Sequence, residues 1–162
     1  MDTHYLASIA ALLGVFIGWL LRAWTERKQQ EQERVLRLFE TFYSPEMVAS
    51  RIRADKYLKR NEERRRSLTQ LGDELPIDEW QDISKVRHFF AHLETLRTHG
   101  KLDHDLTCSL FTPHIEFWFD PNRHFAQFES KNDITPHWSA TRDGLRAWAI
   151  QKFAPSSKFK KR

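Results

Sequence analysis

Two of the eight histidines, His88 and His92, stand four residues apart, the spacing at which two imidazoles on one helix face can share a metal ion. His99, Asp103, His104 and His114 follow nearby, so a metal-dependent enzyme centre is the first chemistry to weigh. The pattern lacks what such a centre needs. Phe89 rather than glutamate follows His88, so there is no His-Glu-x-x-His base arrangement, and a chain with one cysteine has no cysteine pair. Histidines this numerous in a chain of 162 residues often fall four apart by chance. The expectation is a protein with no catalytic residue, no metal and no cofactor, with a metal-dependent enzyme built on His88 and His92 as the alternative. Cys108 matches no nucleophile elbow or redox motif and, being alone, forms no internal disulfide. It reads as a buried thiol in a reducing compartment.

Charge offers a second chemistry. All of the Lys and Arg residues, and every acidic residue except Asp2, lie beyond Leu21, which gives that part a net charge of about +5. Arg22, Arg27 and Lys28 form one basic group, and Arg64, Arg65 and Arg66 end the charge run that starts at Lys59. These six are the candidate contacts to lipid or another anion, and the tail Lys158–Arg162 adds to them. Nucleic acid is not the expected partner, because the run mixes signs and no recognised reading module accompanies it; a protein that binds anionic lipid or nucleic acid electrostatically through Lys59–Arg66 and the tail stands as a further alternative function.

The elements that must position these residues begin with an apolar run. From Tyr5 to Leu21 there is no ionisable residue and no proline. With Ala23 and Trp24 the run makes a helix of roughly 30 Å at about 1.5 Å per residue, the thickness of a hydrocarbon core. A cleaved leader is not expected: the flanks are Asp2, Thr3 and His4 before and Leu20, Leu21 and Arg22 after, without a positive n-region or a small-x-small cleavage site. Residues 1–24 are therefore expected to be a single transmembrane anchor. No Lys or Arg precedes it, and Arg22, Arg27, Lys28, Arg34 and Arg37 follow it, so the N-terminus should face out and the rest should face the cytoplasm. Ala10, Gly14 and Gly18 line one side of this helix as a groove of small residues, the pattern through which membrane helices approach closely.

Residues 25–42 have no breaker before Pro45 and should prolong the anchor as a long polar helix. Leu21, Trp24, Lys28, Glu31, Val35, Leu38 and Phe42 follow a heptad rhythm whose middle is charged. Val35, Leu36, Leu38, Phe39 and Phe42 are thus expected to dock on a globular domain over residues 43–154, with residues 155–162 as a basic tail. Ser44-Pro45-Glu46 should open a helix with Met47, Val48, Ile52 and Leu58 on its apolar side. Ile83, Val86, Phe89, Phe90, Leu93 and Leu96 recur at helical spacing from Asp78 to a stop at Gly100. Asp103 should cap a helix carrying Leu106, Leu110 and Phe111. Thr112-Pro113, Asp120-Pro121 and Thr135-Pro136 repeat the cap-then-proline signal, the last opening a helix through Trp138, Leu145, Trp148 and Ile150. No alternating strand pattern occurs. The expected class is all-α: one transmembrane helix continuing into a long polar helix, then a compact cytoplasmic domain of about five to six helices.

The stretch Val86-Arg-His-Phe89-Phe90-Ala-His-Leu93-Glu-Thr-Leu96-Arg-Thr-His-Gly100-Lys-Leu102-Asp103, followed by Leu110-Phe111 and Trp118, resembles the core signature of a bacterial family of small, single-pass, membrane-anchored helical proteins catalogued as a domain of unknown function. The anchor, the polar helix and Ser44-Pro45-Glu46 extend the resemblance to about Phe128. Ala91 stands where that pattern has an acidic residue. The resemblance implies an inward-facing helical domain anchored in the bacterial inner membrane and brings no activity with it. Since every informative segment specifies location or packing, the functional expectation is a non-enzymatic protein-protein interaction or scaffold module. Its partners would be the lipid bilayer and either a protein or a second copy through the membrane helix.

Overall fold

The structure, a computed structural model, describes residues 3–62, 68–119 and 136–153, and within these excludes the side chains of residues 3–11, 62, 68, 69, 71, 136–140 and 150–153. The described residues are all-helical and contain no strand. Six helices follow in order: α1 (Thr3–Phe42), α2 (Pro45–Glu62), α3 (Leu68–Glu74), α4 (Ile77–Thr98), α5 (His104–Phe119) and α6 (Pro136–Phe153).

Helix α1 is one unbroken rod of 40 residues, roughly 60 Å long at about 1.5 Å per residue. Its midsection is polar and supports itself by side-chain pairs one turn apart: Arg22 Nε to Glu26 at 2.7 Å, Arg27 Nε to Glu31 at 3.0 Å, and Gln29 Nε2 to Glu33 at 3.1 Å. Only its last two turns enter the core, where Val35, Leu38 and Phe42 are buried. Leu36 is exposed, because a residue next to Val35 points about 100° away from it.

The break after Phe42 is short, and Ser44 restarts the chain. Its Oγ accepts a hydrogen bond from Met47 N at 3.3 Å, and Val48 N bonds Ser44 O at 2.9 Å, which is an N-cap followed by the first helical bond. The apolar side of α2 differs from the expected one. Ser50, Ala54 and Leu58 are buried with Met47 packed beside them, whereas Ile52 is 65% exposed. Small residues at 50 and 54 let α2 lie close along α4, its main neighbour. Arg53 and Asp82 clasp the same pair through Nε–Oδ2 at 2.6 Å and Nη2–Oδ1 at 2.9 Å.

Helix α4 is central. Phe89 and Phe90 are both buried although neighbours diverge by about 100°, and they are accommodated because partners lie on more than one side: Phe42 on α1, and Phe111 and Phe119 on α5. The helix ends as expected. Gly100 adopts φ +60°, Gly100 N bonds Arg97 O and Lys101 N bonds Leu96 O, each at 3.0 Å, the paired bonds of a Schellman stop. Asp103 then caps α5, its Oδ1 accepting from Leu106 N at 2.9 Å.

One expectation needs correction here. Thr112-Pro113 does not open a helix: α5 runs straight through Pro113. Thr107, Cys108, Phe111, Ile115 and Trp118 form one buried stripe across the proline, and that burial outweighs the roughly 3 kcal/mol a helical proline costs. Helix α3 occupies a stretch whose sequence pointed to no particular element; its Gly72 lies against the Trp80 ring, which stands 3.1 Å from where a Cβ would be. Asp120-Pro121 and the tail 155–162 lie outside the described residues, as do the side chains of Trp138 and Ile150. Helix α6, opening at Pro136, buries Leu145, Trp148 and Ala149 against α4 and α5.

Among the described residues no helix is long and apolar enough to cross a membrane. The expected anchor straddles their limit. Of the run Tyr5–Leu21, side chains are described from Leu12 onward, a piece shorter than the roughly 20 residues a crossing takes.

Phe42 is fully buried at the end of the rod, so Phe42→Ala should lower unfolding stability by about 3–5 kcal/mol, read as a lowered melting temperature. An unchanged melting curve would show that the rod does not dock there.

Candidate functional site

The exposed half of α1 is the most unusual surface of the molecule. Leu12, Leu13, Val15, Phe16, Ile17, Trp19, Leu20, Leu21 and Trp24 are between 46% and 73% exposed, and they occupy every side of the helix, since no polar residue interrupts Leu12–Leu21. A cylinder apolar all round is stable where another apolar medium surrounds it. Gly14 and Gly18 lie on it with open space where a Cβ would stand. The side chain of Ala10, third member of the expected groove, lies outside the described residues.

A basic collar follows. Arg22 and Arg27 are strongly exposed while paired to Glu26 and Glu31, and the Lys28 ammonium stands 5.7 Å from the Trp24 ring centroid. Arg64, Arg65 and Arg66 lie outside the described residues, so they cannot be added to this collar. Beside it, the rod and the start of α5 enclose a polar cleft of about 410 Å³ lined by Trp24, Arg27, Lys28, Glu31, Asp103 and His104, among others. The docking there is direct. Gln32 Nε2 donates to Asp103 Oδ2 at 3.3 Å and Arg34 Nη1 to Lys101 O at 3.4 Å. The Asp103 carboxyl titrates below its usual range, chiefly because it accepts the Leu106 backbone N–H, with Gln32 and Lys28 assisting.

The histidines do not converge. His88 and His92 are exposed on α4, and among the described residues no group of three or more His, Cys, Asp or Glu side chains could hold a metal ion. Each of the other described histidines named above serves local structure. His99 Nδ1 lies 2.7 Å from Thr95 O. His104 Nδ1 accepts the Trp148 indole N–H at 2.9 Å, tying α5 to α6, and lies 3.3 Å from Cys108 Sγ. His114 Nε2 is 2.8 Å from the Tyr43 hydroxyl. Cys108 is buried.

His114 belongs to a second site, which the sequence reading did not single out. Arg51 on α2 lays its guanidinium 3.8 Å from the centroid of the Phe42 ring and 5.1 Å from that of Tyr43, and Phe42 also packs on the His114 ring at 4.7 Å. Burial pushes the Arg51 pKa down. Burial first, and the Arg51 charge second, push the His114 pKa below its ordinary value. No periodic signal marks these residues: an arginine beside the Ser50 stripe reads from sequence as solvated.

Comparison with protein-family models, curated proteins and solved structures finds no match to this chain.

Because the folded state disfavours the His114 imidazolium, the unfolded chain binds more protons than the folded one between the depressed pKa and about 6.5. Stability should therefore be fully present above about pH 6.5 and fall as pH drops through the folded value. Asp82 and Asp103, also depressed, lose their contributions only below the ordinary aspartate value of 3.8. His114→Gln should flatten the melting temperature between pH 7 and 5 while leaving the steeper acid loss in place. A slope identical to the parent's would remove His114 as its source.

Proposed function

We propose that the chain is a single-pass, membrane-anchored, non-enzymatic interaction or scaffold module, with residues 1–24 in the inner membrane of a bacterium and the helical domain at its cytoplasmic face. The observation that carries the reading is the apolar envelope of α1 from Leu12 to Leu21, exposed on every side. Fully burying one such side chain is worth about 1.5–3 kcal/mol, so moving the whole run from water into an apolar surrounding is strongly favourable.

Three further features support it. The apolar run continues in sequence back to Tyr5, which gives it a bilayer's length. Arg22, Arg27 and Lys28 follow directly, where cations hold the adjoining segment inside and meet anionic headgroups. The resemblance carried by Phe89-Phe90 and Gly100-x-Leu102-Asp103 is to an anchored helical family. The partner of this module is a protein or a second copy, met in part through Ala10, Gly14 and Gly18 in the membrane.

The chain should stay in the membrane pellet after high-salt and alkaline washes, and residues beyond Arg22 should resist protease in intact spheroplasts. Release into the supernatant would overturn the anchor, and cleavage in spheroplasts the orientation.

If the glycine groove is a helix-helix contact, Gly14→Ile should reduce crosslinking between tagged copies, or loss of a co-purifying membrane protein should be seen, with insertion intact. Unchanged association in both assays would leave the segment as an anchor alone.

A further inference from the structure

A cavity of about 310 Å³ opens between α2 and α5, away from the rod's apolar envelope, and is lined by Val48, Arg51, Ile52, Asp55, His114, Phe117 and Trp118. Its volume is at the lower end of small-ligand pockets, about 300–1,000 Å³. Its surface is mostly apolar: Ile52 is 65% and Phe117 44% exposed, so two large hydrophobic side chains stand uncovered at one place on a polar domain. A cation sits in the same place. The Nε of Arg51 is buried without a hydrogen-bond partner, and Arg51 takes part in no ion pair among the described residues. Asp55, the acidic member of the lining, is engaged by Lys59 Nζ at 2.8 Å, so that end of the cleft is charge-balanced.

An arginine stripped of part of its water and left without a carboxylate is costly unless an anion completes it. Its face is occupied by the Phe42 ring, which leaves the in-plane N–H groups as the bonding edge, and that planar edge suits a carboxylate. His114, bonded to Tyr43, borders the same space. From this geometry we infer that the α2–α5 cleft binds a small carboxylic acid anion with a compact apolar body, its carboxylate on Arg51 and its body against Val48, Ile52 and Phe117. The site is independent of the membrane reading, because none of its lining residues belongs to α1.

The test uses the full chain in detergent micelles, titrated calorimetrically with phenylacetate, with phenethylamine as the cation of similar shape and with inorganic phosphate, against empty micelles as blank. Saturable one-to-one binding of phenylacetate, with neither phenethylamine nor phosphate binding comparably, is the expected result. Ile52→Glu places a negative charge at the mouth from an exposed position and should weaken phenylacetate at least tenfold. Ile52→Lys should keep or tighten it, and Arg51→Gln should abolish it. Melting curves of the Ile52 variants should match the parent, so that a loss there reads as charge. Equal binding of acid and amine would reduce the cleft to an apolar patch, and equal binding of phosphate would reduce it to a bare cation. Absence of phenylacetate binding at millimolar concentration, or indifference to Ile52→Glu, would overturn the assignment.

Discussion

The structure depends on the burial of one ring at the end of a long helix. Phe42 is the last residue of α1 and is fully enclosed. Phe89 packs on it at 4.7 Å, Phe90 and Phe111 meet it edge-on at 6.0 and 5.8 Å, and Arg51 and His114 complete the shell. Edge-to-face contacts of this kind add about 0.5–1.5 kcal/mol each beyond the area buried. A rod roughly 60 Å long at about 1.5 Å per residue has great leverage on its socket, and Leu38 and Val35, one and two turns back, turn a point contact into a line.

That line is held from the other side by the turn between α4 and α5. Gly100 takes a left-handed conformation that ends α4 in the short connection to α5. Leu102 is then buried, and Asp103 both caps α5 and accepts Gln32 from the rod. A motif composed of a stop, an apolar plug and a cap therefore specifies how the rod meets the domain. Its residues need no catalytic duty to explain their types.

The far end of the same helix faces different demands. Its polar midsection is supported by pairs one turn apart, and the helix runs from there to the packed domain in one direction and to an uncovered apolar cylinder in the other. One continuous helix thus joins an exposed apolar surface to a buried core. No break in α1 separates the outer end from Phe42, whose ring contacts Arg51 and His114.

Local chemistry made much of this legible from sequence. The unbroken helix to Phe42, the start at Ser44-Pro45, the Gly100 stop and the Asp103 cap each depend on residues within a few positions of one another, and periodicity plus capping rules suffice for them. What sequence misread needed a neighbour to decide it. Ile52 looks like core by type, yet α4 lies over Ser50 and Ala54 and leaves it outside. Pro113 looks like a helix start, yet the stripe from Thr107 to Trp118 is buried as one face and carries the helix through it. The histidines looked like a cluster along the chain, and in space His99, His104 and His114 turn to separate partners. Arg51 carries no mark in the sequence at all. Its character comes from the Phe42 ring beneath it and the burial around it, and those exist only once four helices have been brought together by the hydrophobic effect, which acts on surfaces and is indifferent to order along the chain.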